Sequence, residues 1–340
     1  MKIVVAPDSF KGCLSAREVA EALASALRKR HPDWTVVEHP LSDGGEGTVD
    51  TVVPALGGNF REAVVSDPLG RSVSARYGLS GDTAILEVAE ACGLKRLSPE
   101  ERNPLIASTY GVGELLLAAR NAGARRLVVG LGGTATCDGG AGMMRVPHLR
   151  EALADCRIEI LCDVAIPFIG PEGTARVYAP QKGASPADVE VLEKRLEALA
   201  GTILEETGVD VLALPSAGAA GGLAGAFQAW LKAESVSGID RILDLTGFDA
   251  VVSGADLVLT GEGKSDRQTL SGKVALGVLR RAKDVPVVLV SGRIEDAEAL
   301  SAAGFAGLVP VSPESLPLQE AMKPEVAKEN LRKAVISICP

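Results

Sequence analysis

Short apolar runs alternate with amphipathic stretches near the start of the chain, and this alternation predicts strands and helices in turn. Ile3–Ala6 forms an apolar run typical of a buried strand, and Thr35–Val37 predicts a second strand. Between them, Ser15 and Glu18 have the spacing of a capping box. Apolar residues then recur at helical spacing at Val19, Leu23 and Leu27. A shorter helix is predicted to end at Gly57-Gly58.

The last third of the chain repeats this alternation. It predicts strands at Leu257–Thr260, Val287–Val290 and Gly307–Val311, with helices at Val274–Ala282 and Ala297–Ala303 between them. Strands that alternate with helices indicate a parallel sheet covered on both faces.

The middle of the chain has a different pattern. The stretch "REAVVSDPLGRSVSARYGLSGDTAILEVAEACGL" predicts antiparallel strands joined by turns, and "ASTYGVGELLLAARNAGARRLVVGLGG" predicts a helix and then a buried strand. We therefore expect an α/β protein in which both ends of the chain build one domain, at residues 1–60 and 246–340. The second, mixed α/β domain is inserted at residues 61–245. The alternative is two sequential domains divided near residue 150.

Composition narrows the classes of function. The chain has 340 residues, of which 46% are hydrophobic, and a formal net charge of −9. An acidic chain with only 3% aromatic residues is a poor general binder of nucleic acid or anionic membrane. The six cysteines form no C-x-x-C pair, no apolar run reaches the length of a membrane span, and no signal peptide is recognisable. We expect a cytoplasmic protein with reduced thiols.

Candidate chemistry lies in three loops that follow predicted strands: "PDSFKG", "SDGGEGT" and "GEGKSDRQT". Each combines glycines, which let the backbone approach a ligand, with acids that could hold a cation. Lys11 and Lys264 could face phosphate oxygens. Ordinary turns contain the same residue types, so a single loop of this kind does not identify a site.

Known nucleotide motifs fit the chain poorly. Gly272-Lys273 is followed by Val274 and lacks the preceding glycine of a Walker motif. "GLGGTA" at 130–135 matches the loose dinucleotide pattern G-x-G-x-x-A, but further glycines interrupt the helix expected there. A dinucleotide-dependent oxidoreductase is therefore a distant third alternative.

Several longer motifs occur in a characteristic order: "APDSFKGCLSA", "PLSDGGEGT", "RNPLIASTYGVGELL", "GLGGTATCDGGAGM", "GPEGTARVYAPQKGA", "GAAGGLAGA" and "TGEGKSDRQTLSGK". Together they resemble the type I glycerate kinases, over residues 1 to about 310. The resemblance implies ATP- and Mg²⁺-dependent phosphorylation of D-glycerate, usually at the 2-hydroxyl. It also implies a flavodoxin-like (Rossmann-like) domain formed by both chain ends, with an inserted α/β domain.

The resemblance also implies roles for individual residues. Asp8 would orient the substrate hydroxyl or act as a base, and Lys11 and Lys182 would offset negative charge. Asp163 would share the catalytic centre and is also a candidate metal ligand. The remaining candidates are Mg²⁺ ligands at Asp43, Glu262 and Asp266, and substrate or phosphate contacts at Ser9, Gly44, Gly45, Gly132, Gly133, Asp138 and Lys264.

The chain departs from the family pattern in its central part. Relatives usually have about thirty more residues after "GGAGM" at 139–143. Ala165, Ile166 and Pro167 follow "CDV" where Asp-Asn-Pro is usual, and Cys137 replaces a common Asn. Two classes of function stay open: an active glycerate kinase, as a monomer or homodimer, or a catalytically weakened protein that binds nucleotide or hydroxy acid.

Overall fold

The computed structural model describes residues 1–338, so Cys339 lies outside the described residues. Within them are thirteen strands: β1 Lys2–Val5, β2 Thr35–Glu38, β3 Asn59–Ser66, β4 Ser72–Ser80, β5 Thr83–Glu87, β6 Arg126–Gly130, β7 Arg157–Leu161, β8 Glu234–Val236, β9 Leu257–Thr260, β10 Lys264–Ser265, β11 Val287–Ser291, β12 Arg293–Ile294 and β13 Gly307–Pro310.

The same residues contain fifteen α-helices: α1 Ala16–Arg30, α2 Thr48–Ala55, α3 Ala89–Cys92, α4 Tyr110–Asn121, α5 Ala141–Met144, α6 Leu149–Ala152, α7 Thr174–Tyr178, α8 Pro186–Thr207, α9 Leu223–Trp230, α10 Gly238–Leu245, α11 Phe248–Val252, α12 Val274–Ala282, α13 Ala297–Ala302, α14 Leu318–Ala321 and α15 Pro324–Ile338. Short 3₁₀ helices occupy Leu94–Arg96, Pro99–Glu101, Pro180–Lys182, Val211–Ala213 and Arg267–Leu270. No helix among residues 1–338 is both long and apolar enough to cross a membrane.

The chain forms two compact units. The first comprises Met1–Asp43, Asp50–Ala55 and the residues from Ile239 onward, and the second comprises Gly44–Val49 and Leu56–Gly238. These units are defined by how the residues pack, and packing alone does not show which parts of the chain fold independently. The domain boundaries predicted from the sequence therefore stay predictions.

The first unit contains a five-stranded parallel sheet in the order β13-β11-β9-β1-β2. Its five strands have the flavodoxin order 2-1-3-4-5, as expected. Alternating strand residues bury both faces. Ile3 and Val5 pack with α1 and α15, whereas α12 packs against β9 and β11. The Ser15–Glu18 capping box starts α1 as predicted, with the Glu18 amide donating to Ser15 Oγ.

The second unit contains a six-stranded sheet in the order β3-β4-β5-β6-β7-β8. Strands β3, β4 and β5 are antiparallel neighbours, which confirms the meander predicted from the sequence. From β5 to β8 the pairing is parallel, so this sheet is mixed. The predicted α/β fold class is confirmed, with one parallel and one mixed sheet.

Candidate functional site

The reversal of strand order in the first unit lies between β1 and β9, and this is where ligands bind in open α/β sheets. Asp8 follows β1, and Glu262 follows β9. The Asp8 amide donates to the carbonyl of Gly261 at 2.8 Å, which fixes the two loops to each other. No residue with a side chain fits in place of Gly261, because an added Cβ would lie 1.7 Å from the Val290 carbonyl oxygen.

Asp8 is the most perturbed acid of this site. It is only 3% exposed, and its Oδ1 accepts the Ser9 N–H at 2.6 Å. Burial and the neighbouring Asp43 raise the pKa of Asp8 to about 7, and Glu262 adds to this increase. Lys11 and the Ser9 amide oppose the shift but do not cancel it. The carboxyl group can therefore release or accept a proton near neutral pH.

Lys11 extends from the same loop toward Asp43. Its Nζ lies 2.9 Å from Asp43 Oδ2, while 62% of the lysine side chain stays exposed. Burial lowers the pKa of Lys11, but Asp43, Asp8 and Glu262 outweigh this and leave the pKa above its ordinary value. The ammonium group is fully charged at neutral pH, and it is available to an anionic ligand.

Glu262 is held by side chains of its own loop. Its Oε1 accepts from Thr269 Oγ1 at 2.7 Å and from Ser265 Oγ at 3.3 Å. Its Oε2 accepts from Lys273 Nζ at 3.1 Å. Sequence reasoning missed Lys273 as a site residue. The sequence did contain a signal for Lys273. This lysine directly precedes helix α12, and a cation is unfavourable at the N-terminus of a helix unless another interaction holds it there.

Lys264 and Asp266 form a more exposed group beside Glu262. Lys264 Nζ lies 2.9 Å from Glu295 Oε2 and 3.5 Å from Asp266 Oδ2. Asp266 also caps the 3₁₀ helix that begins at Arg267, where its Oδ1 accepts the Gln268 N–H at 2.8 Å. Burial raises the pKa of Asp266, but the Gln268 amide and Lys264 together leave it below its ordinary value. This carboxylate is engaged within its own loop.

The three predicted metal ligands of this unit are therefore each paired with a lysine: Asp43 with Lys11, Glu262 with Lys273 and Asp266 with Lys264. Across residues 1–338, no three His, Cys, Asp or Glu side chains converge to hold a metal by themselves.

A cavity of about 360 Å³ opens beside Asp8 within the first unit. Its polar lining includes Ser9, four cationic side chains and two acids, and the cations are Lys11, Lys264, Lys273 and Arg293. The acids are Asp8 and Glu262. Cations therefore outnumber acids in this lining, which favours an anionic ligand.

In the second unit, the predicted glycines bring two backbone segments into contact. A Cβ on Gly130 would lie 2.5 Å from the Gly44 carbonyl oxygen, and one on Gly132 would lie 2.8 Å from Gly45 Cα. Gly133 has a φ of +77°. The chain's own backbone thus occupies the space that these glycines leave open. No helix begins at residues 133–136, unlike in a dinucleotide-binding turn.

Asp138 holds the following loop together. Its Oδ2 accepts from Thr109 N at 2.8 Å, from Thr109 Oγ1 at 2.9 Å and from Gly142 N at 3.0 Å. Its Oδ1 accepts from Gly140 N at 3.1 Å. Four hydrogen bonds give this carboxylate a structural role, and a contact to substrate stays a prediction.

Lys182 is buried in the second unit, with 3% exposed. Its Nζ donates to Thr136 O at 2.7 Å and to Thr134 Oγ1 at 3.0 Å. Burial lowers its pKa, and nearby Cys137, Cys92 and Asp138 only partly oppose this. Two hydrogen bonds anchor the ammonium group to the loop after β6.

Asp163 follows β7 and is exposed. Its Oδ1 accepts the Gly238 N–H at 2.9 Å. Ala165, Ile166 and Pro167 come shortly after it, and none of the three has a carboxylate or amide side chain.

Comparison with known proteins identifies a single family. The profile of the glycerate kinase family matches residues 3–146 and 144–340. Glycerate kinase from Bacillus subtilis (strain 168) is 40% identical over 356 aligned positions, covering 95% of this chain and 93% of the relative. Glycerate 2-kinase from Escherichia coli (strain K12) is 40% identical over 328 positions, covering 87% and 86%.

A solved structure agrees with these relatives. A crystal structure of a candidate glycerate kinase 2 from Salmonella typhimurium LT2 has a TM-score of 0.85 and 38% identity, covering 99% of this chain and 97% of that one. The family match divides at residues 144–146, and the Bacillus alignment is longer than the 340 residues of this chain. Both findings agree with a shortened segment after Met143.

Proposed function

The chain belongs to the glycerate kinase family, and from this premise we propose that it transfers the γ-phosphoryl group of ATP to the 2-hydroxyl of D-glycerate, giving 2-phosphoglycerate. The observation that carries this proposal is the buried Asp8 carboxylate, whose pKa is raised to about 7 beside a cationic cavity. The name of the Escherichia coli relative, a glycerate 2-kinase, supports the choice of the 2-hydroxyl.

Asp8 acts as the general base. A base whose pKa lies near the working pH combines a useful ionised fraction with enough affinity for the proton. Asp8 meets this condition because burial, Asp43 and Glu262 all disfavour its ionised form. Its ionised carboxylate accepts the proton of the glycerate hydroxyl as that oxygen attacks phosphorus.

The lysines of the first unit neutralise the negative charge of the phosphates and of the glycerate carboxylate. Phosphoryl transfer depends mainly on positioning and on stabilising the charge of the transferred group. Lys11, Lys264 and Lys273 all line the cavity with Asp8 and supply positive charge to phosphate or to the glycerate carboxylate. Ser9 adds a hydroxyl group at the same wall.

The carboxylates of Asp43 and Glu262 suit a Mg²⁺ ion whose remaining ligands come from ATP. Mg²⁺ usually takes one or two carboxylates, together with phosphate oxygens and water. Asp43 and Glu262 both lie near enough to Asp8 to raise its pKa, so the carboxylates of this cluster repel one another and favour a cation. Asp43 and Glu262 would hold Mg²⁺, and Asp266 stays a further predicted ligand. The ion would supply charge neutralisation at the phosphates.

The predicted roles in the second unit are part of the same proposal. Asp163, Lys182 and Asp138, with the amides of Gly44, Gly45, Gly132 and Gly133, are proposed to support substrate and phosphate binding. The monomer or homodimer, the cytoplasmic location and the absence of nucleic-acid and membrane partners also stay predictions. The net charge of −9 supports the last of these.

The test is ADP release in a coupled assay with D-glycerate, with and without Mg²⁺. We expect turnover only when D-glycerate, ATP and Mg²⁺ are all present. ATP binding without turnover would instead support the second candidate, a weakened binding protein, which the predicted shortening after Met143 favours. Saturable binding of NADH would favour the oxidoreductase alternative.

A further inference from the structure

The cavity beside Asp8 has an apolar wall for which D-glycerate has no matching group. This wall consists of Phe10, Cys13, Val311, Leu318, Ala321, Met322 and Ala327. Every carbon of glycerate carries oxygen, so the molecule gains little from apolar contact. Its carboxylate and hydroxyl groups match the charged side chains that also line the cavity.

Two side chains of this wall are unusually exposed for their type. Leu318 is 54% exposed at the start of α14, and Met322 is 38% exposed just after that helix. Met322 Cε lies 3.3 Å from the position that a Cβ on Gly12 would take, so the methionine reaches the loop that carries Asp8 and Lys11. Both side chains line the cavity together with the loop that carries Asp8 and Lys11.

The charged side chains restrict what can occupy the whole cavity. Lys11, Lys264, Lys273 and Arg293 line it with only two acids, so an occupant should carry negative charge. The apolar residues favour an occupant that also has a flat or hydrophobic group. A nucleoside polyphosphate combines both, and a methionine sulfur makes favourable contacts with an aromatic ring.

We propose that the apolar wall formed by Leu318, Met322 and Cys13 binds the adenine base of ATP, with the phosphates directed toward the lysines that also line the cavity. This inference rests on the proposed kinase function, and it adds the place of the nucleotide base. Helix α14 and the loop after it are then the nucleotide-specific part of the first unit.

The first test is chemical labelling of Cys13, which lines the cavity and is partly buried. A thiol-reactive maleimide is added with ADP, with D-glycerate or with neither, and mass spectrometry follows labelling at each cysteine. Saturating ADP should slow labelling of Cys13 by about fivefold or more, whereas D-glycerate should not. Cys156, a partly exposed thiol of the second unit, is the internal control.

The second test uses exposed apolar residues inside and outside the cavity. Leu318→Ala and Met322→Ala should each weaken ADP binding by about fivefold to tenfold in calorimetry. Both should leave binding of inorganic tripolyphosphate unchanged. Leu204→Ala, which truncates a leucine that is 47% exposed on α8, should affect neither ligand.

The outcomes separate this inference from the proposed function. Unprotected Cys13 with ADP bound, or equal ADP affinity in all variants, would overturn the nucleotide-base site even if D-glycerate is phosphorylated. Protection of Cys13 by ADP together with selective loss of ADP affinity would support the site even if no turnover occurs. A protein that binds no ADP would also contradict the inference.

Discussion

Asp8 is the residue on which the proposed chemistry depends. The sequence places an acid directly after a buried strand, and this made Asp8 a candidate. Its perturbed pKa could not be predicted, because it arises from burial and from Asp43 and Glu262, which follow two other strands. The contact of Lys273 with Glu262 joins residues eleven positions apart, so the position of Lys273 before α12 could mark it as unusual but could not identify its partner.

The pH dependence of catalysis follows from Asp8. A base must be ionised to accept a proton, so kcat/KM for D-glycerate should rise with pH through an apparent pKa near 7 and then level off. Asp8→Asn should lower kcat by about a hundredfold or more and remove this step. Steady-state rates between pH 5.5 and 9 measure both effects. A profile with the step retained in Asp8→Asn would assign the titration to another group.

The same residue should also affect stability. The folded chain holds a proton on Asp8 up to about pH 7, whereas the unfolded chain loses it near pH 3.8. Stability from this proton is complete below pH 3.8 and is lost as pH rises through 7. Asp8→Asn should therefore raise Tm by a few degrees at pH 8, and this gain should disappear near pH 4. Thermal unfolding at the two pH values provides the measurement, and a lower Tm at pH 8 would contradict the burial argument.

The hydrogen bonds of Asp138 lead to a prediction about stability. Its carboxylate accepts four hydrogen bonds, three of them from backbone N–H groups. Asp138→Ala should cost about 2–4 kcal/mol in the free energy of unfolding, since buried donors lose a charged acceptor. Asp155→Ala is the matched control, because Asp155 is 59% exposed and should cost under about 1 kcal/mol. Denaturant unfolding compares the two, and equal losses would argue against the structural role.

At the scale of elements, the predictions from hydrophobic periodicity agree well with the structure at both ends of the chain. Leu257–Thr260 and Val274–Ala282 are reproduced residue for residue, and the other predicted strands and helices differ by one or two positions. The apolar pattern determines these elements because each buries one face or stripe. Which strands become neighbours depends on long-range pairing, so the parallel half of the second sheet was not predicted.

The close contact between residues 44–45 and 130–132 leads to a prediction about the stability of glycine variants. Gly132→Ala places a Cβ 2.8 Å from a backbone atom, Gly45 Cα, so the two segments must separate. We expect a loss of about 1–3 kcal/mol in the free energy of unfolding. Gly201→Ala in α8 is the matched control, since nothing lies within 4 Å, and it should stabilise by up to about 1 kcal/mol. Denaturant unfolding of both variants distinguishes them, and a neutral Gly132→Ala would refute the close contact.

At the scale of the whole molecule, family membership is established, and the family match divides at residues 144–146 in the central part of the chain. Only the short helices α5 and α6 lie between the loop of Asp138 and strand β7. The resemblance of long, ordered motifs made the family predictable from sequence. The effect on activity of the predicted shortening after Met143 could not be predicted, because the sequence does not show what the additional residues of relatives contact.

The most direct measurement is ³¹P NMR of the reaction mixture after incubation with ATP, Mg²⁺ and D-glycerate, with Asp8→Asn analysed in parallel. The proposed function predicts a phosphate-ester resonance of 2-phosphoglycerate, growing as the γ-phosphate signal of ATP declines, and growing about a hundredfold or more slowly with Asp8→Asn. A mixture in which ATP and D-glycerate stay unchanged, or one in which Asp8→Asn forms the same product at the same rate, would contradict it.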